Sequence, residues 1–206
     1  VPTYTELYTN IPNFLSGNSE LKPEKALAEE LGINYTIKKL ELTGAVFRRE
    51  AKDLIDYIKE TEESPIFVAQ NLREVTTSGL ELNAAYNFIL FNNSQRVKLG
   101  YTFLEDDYHD TNVFASRYLI DTSIKNHFTG VFDFTIAEII KPSITYKYVE
   151  RPQQSYSIVD AKIATDIKSF SLFILANNIF DIEYFEKDNV IMPRSNFEFG
   201  LTYTFR

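Results

Sequence analysis

Hydrophobic and polar residues alternate with period two along most of the chain. At its end, Phe197, Phe199, Leu201, Tyr203 and Phe205 alternate with Asn196, Glu198, Gly200, Thr202 and Thr204. That pattern is a strand with one apolar and one polar face. Val97, Leu99, Tyr101 and Phe103 repeat it, as do Leu80 through Leu90, Ile144 to Tyr148, and Val159 to Ile163. Ile124, Phe128, Phe132, Phe134 and Ile136 share one parity, and Lys125, His127, Thr129, Asp133 and Thr135 the other. Near the start, Leu31, Ile33, Tyr35 and Ile37 oppose Glu30, Gly32, Asn34 and Thr36. The pattern predicts an all-β, antiparallel fold of about nine strands, most of a length to cross a bilayer when tilted. Asn92-Asn93-Ser94 is expected as a short turn, and Glu105–Asn112 and Asp181–Ser195 as long polar loops.

Two segments conflict with this reading. Lys22–Leu31 is rich in helix formers. In Arg49–Glu60, Ala51, Leu54, Ile55 and Ile58 fall at i, i+3, i+4 and i+7, a helical face. Taken alone both read as helices. Among strands the first is expected to be strand. The second is either a strand running beyond a membrane or a helical turn in an external loop.

Alternation leaves open which way the apolar face points: inward in a soluble barrel, outward in a membrane barrel. The polar face carries Lys98, Lys125, His127, Asp133, Asp160, Lys162 and Glu198. A charge facing lipid at mid-bilayer costs about 2–4 kcal/mol, so these residues line a wet interior or the outside of a soluble barrel. Tyr86, Phe91, Tyr101, Phe103, Tyr146, Tyr148, Tyr203 and Phe205 lie near strand ends, where interfacial girdles form. The 206 residues make one domain or a piece of a larger one. A net charge of -8 argues against nucleic acid as partner. The absence of cysteine excludes disulfides, thiolate metal sites and cysteine nucleophiles. The chain starts at Val1 without a signal peptide, so either one was removed or the chain is a piece of something longer.

Pro2-Thr3-Tyr4-Thr5-Glu6-Leu7-Tyr8, then Gly17-Asn18-Ser19-Glu20-Leu21-Lys22-Pro23-Glu24, then Glu30-Leu31-Gly32 resemble an ordered set of segments in the TonB-dependent outer-membrane receptors. Further similarity follows at Phe47, Asp53-Leu54-Ile55-Asp56-Tyr57, Asn71, Gly79-Leu80-Glu81, Asn177-Asn178-Ile179-Phe180-Asp181 with Tyr184, and Pro193-Arg194. The Asp53–Tyr57 stretch is most similar to vitamin B12 (cobalamin) receptors and their siderophore relatives. The resemblance implies a transmembrane β-barrel in the cell outer membrane, residues 1–206 being the C-terminal part of a 22-stranded, plugged barrel. A full set of strands needs about 500 residues, so the plug, the TonB box and the first strands are expected to lie outside this chain. Residues 1–23 are expected as an external loop and 24–206 as strands and loops. The implied function is TonB-dependent uptake of cobalamin or a ferric siderophore. The implied partners are the TonB complex through the plug, the cargo, outer-membrane lipid, and the barrel assembly machinery through Phe205. Arg206 departs from the family's aromatic terminus.

The external loops are the expected cargo-binding residues: Tyr4, Tyr8, Phe14, Asp106, Asp107, Tyr108 and His109. Glu105-Asp106-Asp107-Tyr108-His109-Asp110 is dense enough in oxygen ligands to suggest calcium. In the resembled family calcium lies earlier in the barrel, so a solvated loop is expected here. His127 is expected as a hydrogen-bonded lumen residue. With two histidines, neither a protein-only iron or zinc site nor a cofactor is expected. No nucleophile elbow or phosphate-binding loop occurs, so an enzyme is not expected. Two alternatives remain open. A self-contained small porin-like barrel would need Thr3–Tyr8 as a tenth strand closing on the C-terminal one. A soluble lipid-binding barrel would turn the Phe/Tyr face inward.

Overall fold

A computed structural model describes residues 1–109, 114–116, 123–186 and 190–205; Asp110, Asn112 and Arg206 lie outside them. The chain opens with a one-turn helix, α1 (Tyr4–Tyr8), and two short strands, β1 (Asn10–Ile11) and β2 (Leu15–Ser16). Four long strands follow: β3 (Lys25–Ile37), β4 (Leu40–Lys59), β5 (Phe67–Leu90) and β6 (Asn93–His109). After the two-residue β7 (Ala115–Ser116) come β8 (Asn126–Asp133), β9 (Ile140–Glu150), β10 (Ser155–Ile167), β11 (Phe170–Asn177) and β12 (Asn196–Tyr203). The nine long strands form one antiparallel meander, β3-β4-β5-β6-β8-β9-β10-β11-β12. Among the described residues, β3 pairs only with β4 and β12 only with β11, so the sheet is open at both edges.

Register aligns the alternation across the sheet. Ile33, Gly44, Leu82, Tyr101, Phe128 and Tyr148 stand side by side on one face. Thr43, Asn83, Gly100, Thr129 and Lys147 do so on the other. The apolar face is not covered: Phe199 is 86% exposed and Phe132 41%. Each such side chain left in water forgoes about 1.5–3 kcal/mol. The soluble-barrel alternative required these rings in a sealed core, and they are not there. The polar face is stitched by ion pairs, Arg96–Glu41 at 3.4 Å, Lys98–Asp133 at 3.1 Å and Lys141–Asp166 at 2.6 Å. Ser143 and Ser171 donate to the two aspartates at 2.8 and 2.6 Å.

One end of the sheet carries tight turns at Lys38–Lys39, Phe91–Asn92, Ala137–Glu138 and Lys168–Ser169. Lys38, Phe91, Asn92, Ala137, Glu138 and Lys168 all have positive φ, between 50° and 61°, the backbone conformation that tight hairpin turns use. The turn expected at Asn92–Ser94 starts one residue earlier, and Asn93 already belongs to β6. The other end carries the long connections, including 60–66 and 178–195.

Both ambiguous segments are strands. Lys22–Leu31 enters β3, because pairing with β4 outweighs helix propensity. Arg49–Glu60 is the upper half of β4, and its helix-like spacing has a local cause. Asp53 has φ 56°, and it is skipped between the pairs Lys52↔Glu74 and Leu54↔Leu72. The kink resets the pleat, so Ala51, Leu54 and Ile58 share one buried cluster without a helix. The acidic stretch expected as a loop is also strand, since β6 runs to His109 against Glu74. Tyr4–Tyr8 is helical, capped reciprocally by Thr3 and Glu6. The tenth strand that the small-barrel alternative needed is therefore not formed.

Candidate functional site

The long-connection end is where side chains converge. Here β4 and β5 continue past their neighbours as a two-stranded arm, Leu54–Ile58 pairing with Val68–Leu72. Both edges of the arm are capped. Strand β2 pairs in parallel with Phe67 and Val68 on one edge, and β7 pairs with Ile58 and Lys59 on the other. Between the caps, side chains take the place of strands. The Asn71 amide accepts from Lys22 N–H at 2.8 Å and donates to the carbonyls of Lys22 and Asp53 at 3.0 and 2.5 Å. Glu24 Oε1 accepts the Ile55 N–H at 2.8 Å. The segment before β3 is thus tied to the arm by hydrogen bonds that strands would otherwise supply.

Tyr4 and Tyr8 lie one turn apart on α1, with ring centroids 5.0 Å apart, and Tyr4 is 79% exposed. Gly17 lets this helix sit directly on the chain, because a Cβ there would meet Glu6 O, Leu7 C and Tyr8 N at 2.8 Å. Phe14 packs edge-on to Phe67 at 6.3 Å. Beside them, Leu15, Tyr57 and Ala69 form a small core. Tyr108 belongs to a different core, against Ala51, Leu54, Ile58 and Val75. Leu54 and Ile58 alternate with Tyr57 along one strand, so the two cores lie on opposite faces of the arm.

The seven residues singled out from the sequence therefore do not meet in one place. Tyr4, Tyr8 and Phe14 gather in the N-terminal segment; Asp106, Asp107, Tyr108 and His109 follow one another along β6. Asp106 accepts a 2.6 Å hydrogen bond from Thr77 on the polar-face parity. Tyr108 lies beyond the apolar band, where burial and then the Asp106 charge push its phenol well above the ordinary range. Among the described residues no group of three or more acidic or histidine side chains is arranged to hold a metal ion.

A second cluster, missed from the sequence, stands on the polar face below the 178–195 connection. The rings of Tyr156 and Tyr184 lie 4.5 Å apart, and Lys147 Nζ is 5.9 Å from each. Lys147 also pairs with Glu186 at 3.0 Å, and Gln154 donates to the Phe185 carbonyl. Burial pushes the Glu186 carboxyl up, but the hydrogen bond and charge of Lys147 outweigh it and hold the group below its usual range. His127 shares this face and contacts Thr129 at 3.2 Å. Farther along, Arg194 grips Asp181 through Nε and Nη2 at 2.9 and 2.7 Å and Glu183 through Nη1 at 2.9 Å. These contacts tie the described parts of the connection to one another and to Lys147 and Gln154. The pairing of Lys147 with Glu186 spans 39 residues, so only the register could reveal it.

The arrangement offers a mixed aromatic and charged surface at one end of a two-faced sheet. Several solved structures share this fold. The chain superposes on the copper transporter OprC with a TM-score of 0.77, at 16% identity, over 100% of this chain and 35% of that one. The siderophore receptor PirA from Pseudomonas aeruginosa gives 0.69, 18%, 100% and 35%. The FrpB iron transporter from Neisseria meningitidis (F3-3 variant) gives 0.68, 14%, 89% and 32%. The chain thus spans about a third of the length of these proteins, and at such identities the likeness is one of fold. No curated protein matches the sequence significantly. Residues 1–179 match the model of the TonB dependent receptor-like β-barrel family, which accounts for the open sheet, its two faces and its crowded mouth: the chain belongs to the TonB-dependent receptor β-barrel family.

Proposed function

We propose that this chain is the C-terminal part of an outer-membrane receptor barrel that imports a scarce nutrient chelate, powered through TonB. The observation that carries this reading is the pair of open edges, β3 and β12, on a sheet apolar on one face and polar on the other. Unpaired backbone groups in hydrocarbon cost several kcal/mol each, so such a sheet has to be continued by further strands. The apolar face then meets lipid, and the polar face lines a lumen shared with a plug that TonB acts upon. The barrel does no covalent chemistry; it binds cargo at the loop end and lets it through. Tyr4, Tyr8, Phe14 and Asp106 to His109 are the proposed contacts in external segments, with the Lys147–Tyr156–Tyr184–Glu186 cluster on the lumen side. Phe205, in the terminal segment, would be read by the barrel assembly machinery.

The cargo favoured is an iron chelate, since two of the structural neighbours are an iron transporter and a siderophore receptor. Cobalamin, which the Asp53–Tyr57 stretch favours, is the second candidate. The test is growth of a receptor-deficient bacterium carrying the full-length gene, on ferric siderophores as sole iron source or on limiting cobalamin. The proposal expects rescue by one cargo class and loss of rescue when TonB is removed. Rescue independent of TonB would contradict it.

A further inference from the structure

Two features of the apolar face lie far from the cargo end. The first is a groove of about 530 Å³, walled by Ile33, Tyr35, Leu82 and Leu99 and floored at Gly44 and Ala84. It exists because the two small residues stand beside large ones. Gly44 is flanked in register by Ile33 and Leu82, and Ala84 by Leu42 and Leu99. Strands β3 to β6 line it together with Phe128 of β8, so it does not depend on strands outside the chain. The second is the turn below it. After the pairs Tyr35↔Leu42 and Ile37↔Leu40, the hairpin closes through Lys38 and Lys39. Both are exposed, and neither makes an ion pair with another described residue.

In a chain of net charge -8 this is a local reversal. The four tight turns hold Lys38, Lys39 and Lys168 against Glu138. From Lys39 to Gly44 the strand rises about 17 Å, so the cations sit within the reach of one acyl chain from the groove floor. On the membrane-barrel reading above, on which this inference rests, the groove is continuous with the lipid-facing band and the lysines stand at its boundary. We propose that the groove and turn together seat one anionic glycerophospholipid of the leaflet on the short-turn side. Its phosphate lies at Lys38 and Lys39, and an acyl chain lies over Gly44 and Ala84.

The two parts do different work. Any lipid tail can fill an apolar groove, so the groove holds a chain in place without choosing the lipid. The lysines choose, because each cation near an anionic headgroup favours it about fivefold.

The test is native mass spectrometry of the full-length protein in nonionic detergent, offered equal phosphatidylglycerol and phosphatidylcholine of matched chains. The wild type is expected to retain phosphatidylglycerol preferentially. Lys38→Gln with Lys39→Gln is expected to cut that preference about 25-fold. Lys38→Arg with Lys39→Arg keeps it and shows that charge, not folding, is read. Ala84→Phe lowers retention of both lipids alike. The proposal is overturned by equal retention in the wild type, or by a glutamine variant that keeps the preference. Preferential retention of lipid A, or a dimer that Ala84→Phe dissociates, also overturns it. A protein monodisperse without detergent would sink the membrane-barrel reading as well; a detergent-dependent one without the preference sinks this proposal alone.

Discussion

The ring of Phe47 covers Gly79 on the neighbouring strand, filling the space a side chain would need. Phe173 covers Gly200 in the same way across β11 and β12. A Cβ at either glycine would overlap the ring, so Gly79→Ala and Gly200→Ala each force a rearrangement. Overpacking of this kind costs about 1–3 kcal/mol. Thermal unfolding in detergent should show the loss for each single variant. Phe47→Leu combined with Gly79→Ala should recover part of it, as a coupled pair must. Additive losses would separate the two residues.

Asp53 carries the kink that lets the arm turn, at φ 56°. Glycine adopts that conformation freely, while a β-branched residue does not. Asp53→Gly is expected to leave stability nearly unchanged, and Asp53→Val to lower it by about 1–3 kcal/mol. Equal stability of the two variants would show that the kink is not held by backbone conformation.

Gln95 is buried between two tight turns. Its amide donates to Leu90 O, Asn93 O and Thr135 O at 3.3, 3.3 and 3.0 Å and accepts the Thr135 N–H at 2.8 Å. Gln95→Leu strands those groups, at about 1–3 kcal/mol. Hydrogen exchange at residues 134–139 should accelerate in the variant while β10 and β11 stay protected. Unchanged exchange would mean that the turns stand without the clamp.

The 178–195 connection is held by carboxylates, so acid should release it. The Arg194 guanidinium, with the Ser195 N–H, holds Asp181 below the usual carboxylate range. A depressed folded value means that the stabilisation is complete above the unfolded value of about 3.9. It is lost as pH falls through the folded value. Glu186 follows the same sign. Protection of residues 178–186 against hydrogen exchange, corrected for the intrinsic rate at each pH, should hold at neutral pH and fall below about pH 4. Arg194→Gln should move that onset upward; release on raising the pH instead would contradict the assignment.

Much of this fold is legible from residue alternation. Phe197 to Tyr203 and Val97 to Phe103 announce their strands because one face of each is apolar and the other polar. Ala51, Leu54 and Ile58 mislead because a single left-handed residue, Asp53, shifts the parity, and periodicity cannot see a backbone kink. The helix at Tyr4–Tyr8 had a readable sign, Thr3 three residues before Glu6, a capping box. The cluster of Lys147, Tyr156, Tyr184 and Glu186 had none, since it depends on which strands neighbour which and on a loop folding back. Asp106 and Tyr108 look alike in a run of polar letters. Strand geometry puts both on the polar-face parity and Asp107 on the other.

Which face meets lipid is tested most directly on β12, in a chain that contains no cysteine. Single cysteines from 196 to 203, spin-labelled in the full-length protein in bilayers, report accessibility to oxygen and to a water-soluble nickel chelate. Phe197, Phe199, Leu201 and Tyr203 should favour oxygen and Asn196, Glu198, Gly200 and Thr202 the chelate, alternating with period two. Uniform accessibility, or the reverse alternation, would contradict a barrel wall with its apolar face in the membrane.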